Sequence, residues 1–310
     1  RIRCVWFCIF ACLLPFHCSP QSRAANYIVS PGESLQSVIN SAKPGDVITL
    51  RGGTYRQPMI DVRSSGAKDA PITIQGAPGE KVVLKGSRVV TNWLQHDKVH
   101  SIWKLGNWKI NSQQLFCDGK PLQQIGVQNR WNTEIAFDNY VCLPPQGKDL
   151  SDLSSTQFAT KYSGGAFFYD KNSATLYARL PQNANPNRKL MEASTEMAVL
   201  RGHMASYVHL KNLTMSHCNG TADGLRHGVL WIGGQGWNVE DCTISWGDAG
   251  GVHLIGENHT LRNCRIENNG FVGIDVLGAN EASNWDRYTT RTSQNLLFEN
   301  LTLTGNNYRR

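Results

Sequence analysis

Three side chains that could contact a sugar recur at one fixed interval in the last third of the chain. Trp231, His253 and Asp275 are 22 residues apart, and each stands between two apolar residues. An indole ring can stack on the face of a pyranose, whereas an imidazole and a carboxylate can bind its hydroxyl groups. Asp275 could also orient and charge the imidazole of His253, as in a proton-transferring pair. The spacing predicts a column of substrate-binding side chains if the fold repeats every 22 residues.

A second pattern indicates that the fold does repeat. Four segments place an Asn or Asp between two short apolar–polar alternations, centred on Asn212, Asp241, Asn263 and Asn300. Alternation with period two indicates β-strands, and an Asn or Asp between them indicates a tight bend. The intervals between the centres are 29, 22 and 37 residues, which equal 22 with insertions of 7, 0 and 15. This period predicts an all-β fold, a right-handed parallel β-helix with three short strands per coil.

The four bend residues are interpreted as structural. Their side chains are expected to face inward and to bond the backbone of the neighbouring coil, so the Asn-x-Thr sequons at Asn212 and Asn300 would carry no sugar. Cys242 and Cys264 follow two of the bends directly and should stack inside the helix. They could be free thiols that act as small apolar residues, or they could approach disulfide distance.

Both insertions lie beside the column, one before Trp231 and one after Asp275. Insertions on one face of a solenoid commonly build its binding face. Further substrate-binding candidates therefore come from these two segments: Arg226, His227, Trp285 and Arg287. The positions two residues before the column are Val229, Gly251 and Gly273, and their small size is expected to leave room for a ligand against the sheet.

The candidate catalytic residues are His253, Asp275 and Asp286. Glycoside hydrolysis needs two carboxylates about 5 to 9 Å apart, which Asp275 could form with Asp286 or Glu281. Asp248 is a further carboxylate that could form such a pair with Asp275. Elimination from a uronic acid polymer instead needs a base, for which His253 or Arg226 could serve, and a charge neutraliser, often Ca²⁺ held by carboxylates. Because the sequence has no dense acidic cluster, we expect no metal site and no cofactor, with Ca²⁺ considered only for elimination.

The N-terminus predicts export. Arg1 and Arg3 precede a ten-residue apolar run, and small residues around Ala24 suit cleavage before Ala25, so residues 1–24 are predicted to be a signal peptide. A lipoprotein anchored at Cys18 is the alternative. The apolar run is too short to span a bilayer. We therefore expect a secreted, periplasmic or cell-surface protein without a membrane span.

Composition limits the partners. The formal charge is +7, and removing the three Arg of residues 1–24 leaves about +4, which permits an acidic polysaccharide without requiring one. No basic run or nucleic-acid motif is present, so we expect no nucleic acid partner. Four of the nine Cys lie in the signal peptide, and the remaining five, an odd number, do not suggest a disulfide scaffold. A monomer is expected.

The rest of the chain divides into three parts. Residues 25–87 predict a short N-terminal capping helix that starts at Ser30 and Pro31, followed by the first coils. Residues 88–204 interrupt the rhythm with many aromatic residues and predict an inserted, mostly antiparallel β lobe, including a hairpin of 167–170 with 175–178. Coils resume in residues 205–310, where the pattern stops in mid-coil, so truncation at the C-terminus is expected.

A family resemblance points to the same fold. Residues 44–56, Pro-Gly-Asp-Val-Ile-Thr-Leu-Arg-Gly-Gly-Thr-Tyr-Arg, resemble the opening of secreted pectate-lyase-like β-helix proteins, and so do residues 77–87. The chain is similar above all to β-helix glycoside hydrolases, β-xylosidases among them, which also have an inserted lobe. This resemblance, over residues 26–310, implies a secreted glycoside hydrolase acting on plant or algal polysaccharide, with its catalytic carboxylates beyond residue 310. A polysaccharide lyase and a non-catalytic adhesion protein are the alternatives, so whether the chain is an enzyme stays open.

Overall fold

The computed structural model describes residues 24–126, 149–202, 204–220, 228–277 and 293–307. In these residues the predicted parallel β-helix is observed, and successive coils build three parallel sheets of seven, six and five described strands, met along the chain in the order sheet 1, sheet 2, sheet 3. Sheet 1 contains Asn26–Val29, Val47–Leu50, Ile72–Gly76, Val208–Lys211, Asn238–Glu240, Thr260–Arg262 and Leu297–Glu299. Sheet 2 contains Gly53–Tyr55, Val82–Lys85, Thr214–Cys218, Thr243–Gly247, Arg265–Glu267 and Thr302–Thr304. Sheet 3 contains Ile60–Asp61, Leu200–Gly202, Gly228–Ile232, Gly250–Leu254 and Val272–Val276.

The bends between sheets 1 and 2 adopt the predicted tight conformation but not the predicted orientation. Their φ angles are 52° at Asn212, 54° at Asp241, 55° at Asn263 and 50° at Asn300, a left-handed region that Asn and Asp tolerate better than most residues. The four side chains are exposed, so the expectation that they face inward is wrong. Because φ is positive, the side chain at the bend points out of the coil, and the side chain of the following residue packs into the core instead. Burial is therefore no argument against the sequons at Asn212 and Asn300.

Side chains still bridge the coils at this corner. The amide of Asn300 donates to the side-chain oxygen of Asn263 over 2.8 Å. Cys242 and Cys264 follow their bends into the core, are buried, and are free thiols. The free-thiol interpretation is the one observed.

A second polar ladder, not predicted from the sequence, lies at the corner between sheets 2 and 3. Its members are Asn219, Asp248, Asn269 and Asn306, six or seven residues after each bend. Asn269 is fully buried, accepts from the backbone N–H of Gly247 over 2.8 Å and donates to Asn306 over 2.8 Å. The side chains of this ladder supply hydrogen bonds to backbone groups that are buried where the chain turns from sheet 2 to sheet 3.

The N-terminal end of the solenoid is covered by the helix Leu35–Ser41, whose Leu35 and Ile39 join the core. The helix starts later than predicted, because Gly32 has a φ of 96° and ends any helical run from Pro31. Ser34 is the N-cap and accepts from the backbone N–H of Ser37 over 3.3 Å. At the opposite end, apolar side chains of the last described strands are exposed, among them Leu297 and Leu303.

An inserted lobe leaves sheet 2 after Val82–Lys85 and contains two further sheets. One is formed by Ser87–Val89, Leu115–Cys117, Lys120–Pro121 and Met191–Ser194. The other is formed by Leu94–Asp97, Ile102–Leu105, Gln123–Ile125, Ala166–Asp170 and Thr175–Arg179. Short helices occupy Leu150–Ser154, Phe158–Lys161, Pro181–Asn183 and Pro186–Arg188. The predicted hairpin is observed, and aromatic residues such as Phe167 fill cores that belong to the lobe.

The lobe contacts the β-helix through a buried polar junction. Glu192 of the lobe is 0 % exposed, and its carboxylate accepts from Lys85 Nζ over 2.8 and 2.9 Å and from Arg56 Nη2 over 2.6 Å. Burial raises the pKa of Glu192, but the hydrogen bonds from Lys85 and Arg56 outweigh it, so the net pKa is lowered. Next to this cluster, Phe116 of the lobe stacks on His217 at 3.7 Å. Burial first, and then the charge of Lys85, lowers the pKa of His217 to about 3.

Candidate functional site

The outer face of sheet 3 holds the predicted column of side chains. Trp231 pairs in register with His253, and His253 pairs with Asp275, so the alignment predicted from the spacing is observed. The structure extends the column by two coils, because Arg201 pairs with Trp231 and Asp61 pairs with Arg201. These five residues are called the sheet-3 column below.

Strand alternation explains why the column faces outward. The residues on either side of Trp231 and His253 are fully buried in the core of the β-helix: Leu230, Ile232, Val252 and Leu254. In a β-strand successive side chains point to opposite faces, so the residues between them leave the core. Neighbouring strands lie about 4.8 Å apart, and the column therefore extends over about 19 Å parallel to the helix axis.

Trp231, His253 and Asp275 contact one another. The rings of Trp231 and His253 meet edge to face, with centroids 5.3 Å apart and planes at 83°. His253 Nδ1 lies 3.3 Å from Asp275 Oδ2, an electrostatic contact whose angle does not fit a hydrogen bond. His253 is 8 % exposed, whereas a third of the Asp275 side chain is exposed. Asp275 thus lies beside an imidazole that is fixed by its neighbours, which suits proton transfer or hydroxyl binding.

A cluster of charges continues the column on the other side of Trp231. Arg201 donates through Nε and Nη2 to the two carboxylate oxygens of Asp61, over 3.3 and 3.1 Å. Arg63 donates through Nε to the same carboxylate over 2.8 Å. Burial raises the pKa of Asp61, but the hydrogen bonds from Arg201 and Arg63 outweigh it, so the net pKa is lowered and the carboxylate is ionised. The guanidinium carbon of Arg201 is 5.9 Å from the ring centre of Trp231.

The space expected beside the column is filled by protein. Val229 is fully buried, and a Cβ on Gly251 would lie 2.6 Å from the carbonyl oxygen of Gly273 and 2.7 Å from the amide of Asn269. These positions face the ladder at the corner between sheets 2 and 3 rather than solvent. The prediction that they leave room for a ligand is wrong, and the glycines are required by the close approach of the turning backbone.

The remaining candidates lie outside the described residues: Arg226, His227, Glu281, Trp285, Asp286 and Arg287. The described strands show where their segments are attached. Gly228–Ile232 begins directly after residues 221–227, and Val272–Val276 ends one residue before residues 278–292. The two segments therefore attach to opposite ends of sheet-3 strands.

The described carboxylates do not form a hydrolytic pair on this face. Asp61 and Asp275 are four strand spacings, about 19 Å, apart, well beyond the 5 to 9 Å that hydrolysis needs. Asp248 is fully buried at the corner ladder, so a ligand on sheet 3 cannot reach it, and the expectation that it could pair with Asp275 is wrong. In the described residues, no group of three or more His, Cys, Asp or Glu side chains is placed to hold a metal ion.

Arg201 and Asp61 could not be found from the repeat, because the lobe interrupts it. The signal was present, since Ile60-Asp61-Val62 and Leu200-Arg201-Gly202 place a charged residue after a buried one, as Leu230-Trp231-Ile232 places Trp231. Without the structure, no constant interval connects these segments to the later coils.

Comparisons with known proteins agree with this fold. Residues 227–309 match a family model described as "Right handed beta helix region", and residues 29–115 match one described as "Chondroitinase B". The chain has a right-handed parallel β-helix fold, and the relatives it matches include proteins described as a pectate lyase and a glycoside hydrolase. Helices long and apolar enough to cross a membrane are not found among the described residues.

Individual relatives cover parts of the chain. Pectate lyase PEL9 of Emericella nidulans is 34% identical over 94 residues, which are 27% of this chain and 22% of the relative. A solved structure titled "Glycoside hydrolase" has a TM-score of 0.66 at 13% identity, covering 92% of this chain and 74% of its own. XylC, solved in complex with xylose, has a TM-score of 0.55 at 14% identity, covering 81% of this chain and 56% of its own. At such identities the two structures show a shared fold.

Proposed function

We propose that this protein is a carbohydrate-active enzyme that binds an extended polysaccharide along the sheet-3 column and cleaves it there. The observation on which the proposal rests is the column itself, in which Trp231 lies between the guanidinium of Arg201 and the imidazole of His253. An aromatic ring with polar groups on both sides is a typical surface for a sugar chain, since the ring binds a pyranose face and the polar groups bind its substituents.

The proposed direction of the bound chain follows from the register. The column runs parallel to the helix axis over about 19 Å, so a ligand that contacts all of it must be extended over several sugars. Three insertions attach at the edges of sheet 3: the lobe before Leu200–Gly202, residues 221–227 and residues 278–292. Such insertions favour the sheet-3 face over the others as the binding face.

Elimination is the chemistry that the described side chains support best. His253 would accept the proton from the carbon that bears the carboxylate of a uronic acid, the bond to the leaving glycosidic oxygen would break as the double bond forms, and water would protonate the leaving oxygen. Asp275, whose Oδ2 lies 3.3 Å from Nδ1, would help to hold the imidazole in place. The partial identity to a pectate lyase supports this choice. Among the described residues no acidic cluster suits Ca²⁺, so no step is assigned to that ion.

Hydrolysis is the second candidate. It is favoured by the position of Asp275 at the end of its strand, directly before the segment that contains Glu281 and Asp286. Either of these carboxylates could complete a pair with Asp275 at the spacing that hydrolysis needs. A role in binding without cleavage would leave Trp231 important and His253 dispensable for turnover.

The experiment is an activity assay on polygalacturonate and xylan with His253→Ala and, as a matched control on the outer face of sheet 1, His209→Ala. Elimination gives an unsaturated product with ultraviolet absorbance, whereas hydrolysis gives reducing ends without it. We expect absorbance on polygalacturonate, lost in His253→Ala and kept in His209→Ala. Reducing ends without absorbance would replace elimination by hydrolysis, and binding without either product would leave a binding protein.

Trp231→Ala tests the binding face separately. Loss of aromatic stacking is worth about 1 kcal/mol, so affinity should fall about fivefold in affinity electrophoresis. Unchanged polysaccharide binding by this variant would contradict the assignment of the sheet-3 column as the binding face.

We also infer that the protein acts outside the cytoplasm as a monomer, with residues 1–24 removed. The apolar run and the pectate lyase relative support export. Mass spectrometry of the exported protein should find Ala25 as the first residue, and light scattering should find one copy.

A further inference from the structure

We propose that Asp61, Arg63 and Arg201 form a subsite for a sugar carboxylate, separate from the position of His253. The inference rests on the proposed function and specifies the substrate further. The polymer would bear acidic groups on sugars other than the one that reacts, as a polyuronate does and a neutral glycan does not.

The first observation is an imbalance of charge. Two guanidinium groups, those of Arg63 and Arg201, donate to the single carboxylate of Asp61. The cluster therefore has a net charge of +1. An ion pair that only connected two coils would need one cation for one carboxylate. Arg201 already connects its coil to that of Asp61, so Arg63 is not needed for that purpose.

The second observation is that donors remain for a ligand. A guanidinium has five N–H donors in a planar fork, and Asp61 engages the Nε and Nη2 groups of Arg201 and the Nε group of Arg63. The side chains of Asp61 and Arg201 are 18 % and 25 % exposed, whereas that of Arg63 is 80 % exposed. Arg201 is thus held in place before a ligand arrives, and Arg63 is free to close on a carboxylate with a bidentate contact.

The third observation is position. Arg201 is one coil from Trp231 and two coils, about 10 Å, from His253. A sugar stacked on Trp231 would place its neighbour in the chain over the guanidinium groups. A carboxylate bound there belongs to a different sugar from the one beside His253.

The test compares polygalacturonate with its fully methyl-esterified form, which has the same backbone with the carboxylates masked. Affinities of the full chain are measured by isothermal titration calorimetry for wild type, Arg63→Gln, Arg201→Gln and the control Arg262→Gln, a sheet-1 residue paired with Glu299. Because charge-assisted hydrogen bonds are involved, we expect Arg201→Gln to bind polygalacturonate about tenfold more weakly and Arg63→Gln about threefold more weakly. Arg63→Gln should bind the ester as tightly as wild type does, and Arg262→Gln should bind both polymers as wild type does.

The outcomes separate this inference from the proposed function. If wild type binds both polymers equally and Arg63→Gln loses nothing, the subsite is refuted while polysaccharide binding stands. If wild type binds neither polymer, the proposed function itself fails. Since Arg63 is exposed, its variant should fold normally, so the test does not depend on whether Arg201→Gln tolerates the loss of its bonds to Asp61. An equal loss on both polymers in Arg63→Gln would also refute recognition of a carboxylate.

Discussion

The buried junction between the lobe and the β-helix gives the sharpest prediction about stability. Glu192→Gln keeps the size of the side chain but removes the charge and turns an amide donor toward two donors, Lys85 and Arg56. Breaking a buried ion pair from one side costs about 3–5 kcal/mol. Lys85 and Arg56 are 14 % and 27 % exposed and can recruit water, so we expect the lower end, about 3 kcal/mol.

The assay is urea unfolding followed by tryptophan fluorescence, with Glu299→Gln as the control. Glu299 pairs with Arg262 on the outer face of sheet 1, where the side chains are 53 % and 42 % exposed. An exposed pair of this kind contributes at most about 1 kcal/mol. The reasoning would be refuted if Glu192→Gln unfolded within about 0.5 kcal/mol of wild type, the range of ordinary surface substitutions.

The pH dependence of the same variant gives a second check. The pKa of Glu192 is lower in the folded state than its ordinary value of about 4.3, so the folded state holds the proton less tightly than the unfolded state. The contribution of the Glu192 carboxylate to the free energy of unfolding is complete at pH values above its ordinary pKa, and it is lost as the pH falls through the lowered pKa of the folded state. The difference in unfolding free energy between wild type and Glu192→Gln should therefore be constant near neutral pH and shrink in acid. A difference that grew in acid would contradict the assigned sign.

Three further outcomes are expected. Because the pKa of His217 is lowered to about 3, this side chain takes up a proton below about pH 6.5 only in the unfolded state. Between pH 7 and pH 5, the free energy of unfolding measured in urea should therefore fall by about 2 kcal/mol more for wild type than for His217→Gln. Parallel pH profiles of the two proteins would contradict this. Cys242 and Cys264 should resist alkylation in the native protein while the partly exposed Cys117 reacts, as peptide mass mapping would show, and early labelling of Cys242 would disprove its burial. Asn263→Ala should lower the unfolding free energy by about 1–2 kcal/mol and Asn263→Gly by less, because φ is 55°; equal losses would exclude backbone strain as the cause.

The parts of the fold that repeat at a constant interval could be predicted from the sequence. The spacing of Trp231, His253 and Asp275 placed them in one column, because strands that pair in register preserve sequence intervals. The bends at Asn263 and Asn300 were recognised from residue type, since few other residues accept a left-handed backbone. Their outward orientation was not predicted, because residue type shows that a bend exists but not which side of the corner its side chain occupies.

The rest depended on distances that the sequence does not contain. Arg201 and Asp61 join the column only across the inserted lobe, which removes the constant interval. Gly251 was expected to leave space for a ligand. A small residue is equally suited to a place where another segment of backbone comes close, and here the carbonyl oxygen of Gly273 fills the space. The ladder that includes Asn269 was missed because its members sit at either six or seven residues from the bend.

The way the lobe enters and leaves the solenoid bears on how such a chain folds and diversifies. Ser87–Val89 pairs antiparallel with Met191–Ser194, and Leu84 still stacks in register on Met215, so the coils continue as if nothing stood between them. Closing a longer loop costs only about 0.6 kcal/mol for each doubling of its length. The lobe is longer than one coil by roughly two doublings, so its closure costs little. Loop closure therefore sets only a small penalty on a module with its own cores at this corner. The larger constraint is the buried junction, because a replaced module would have to supply a partner for Lys85 and Arg56 in place of Glu192.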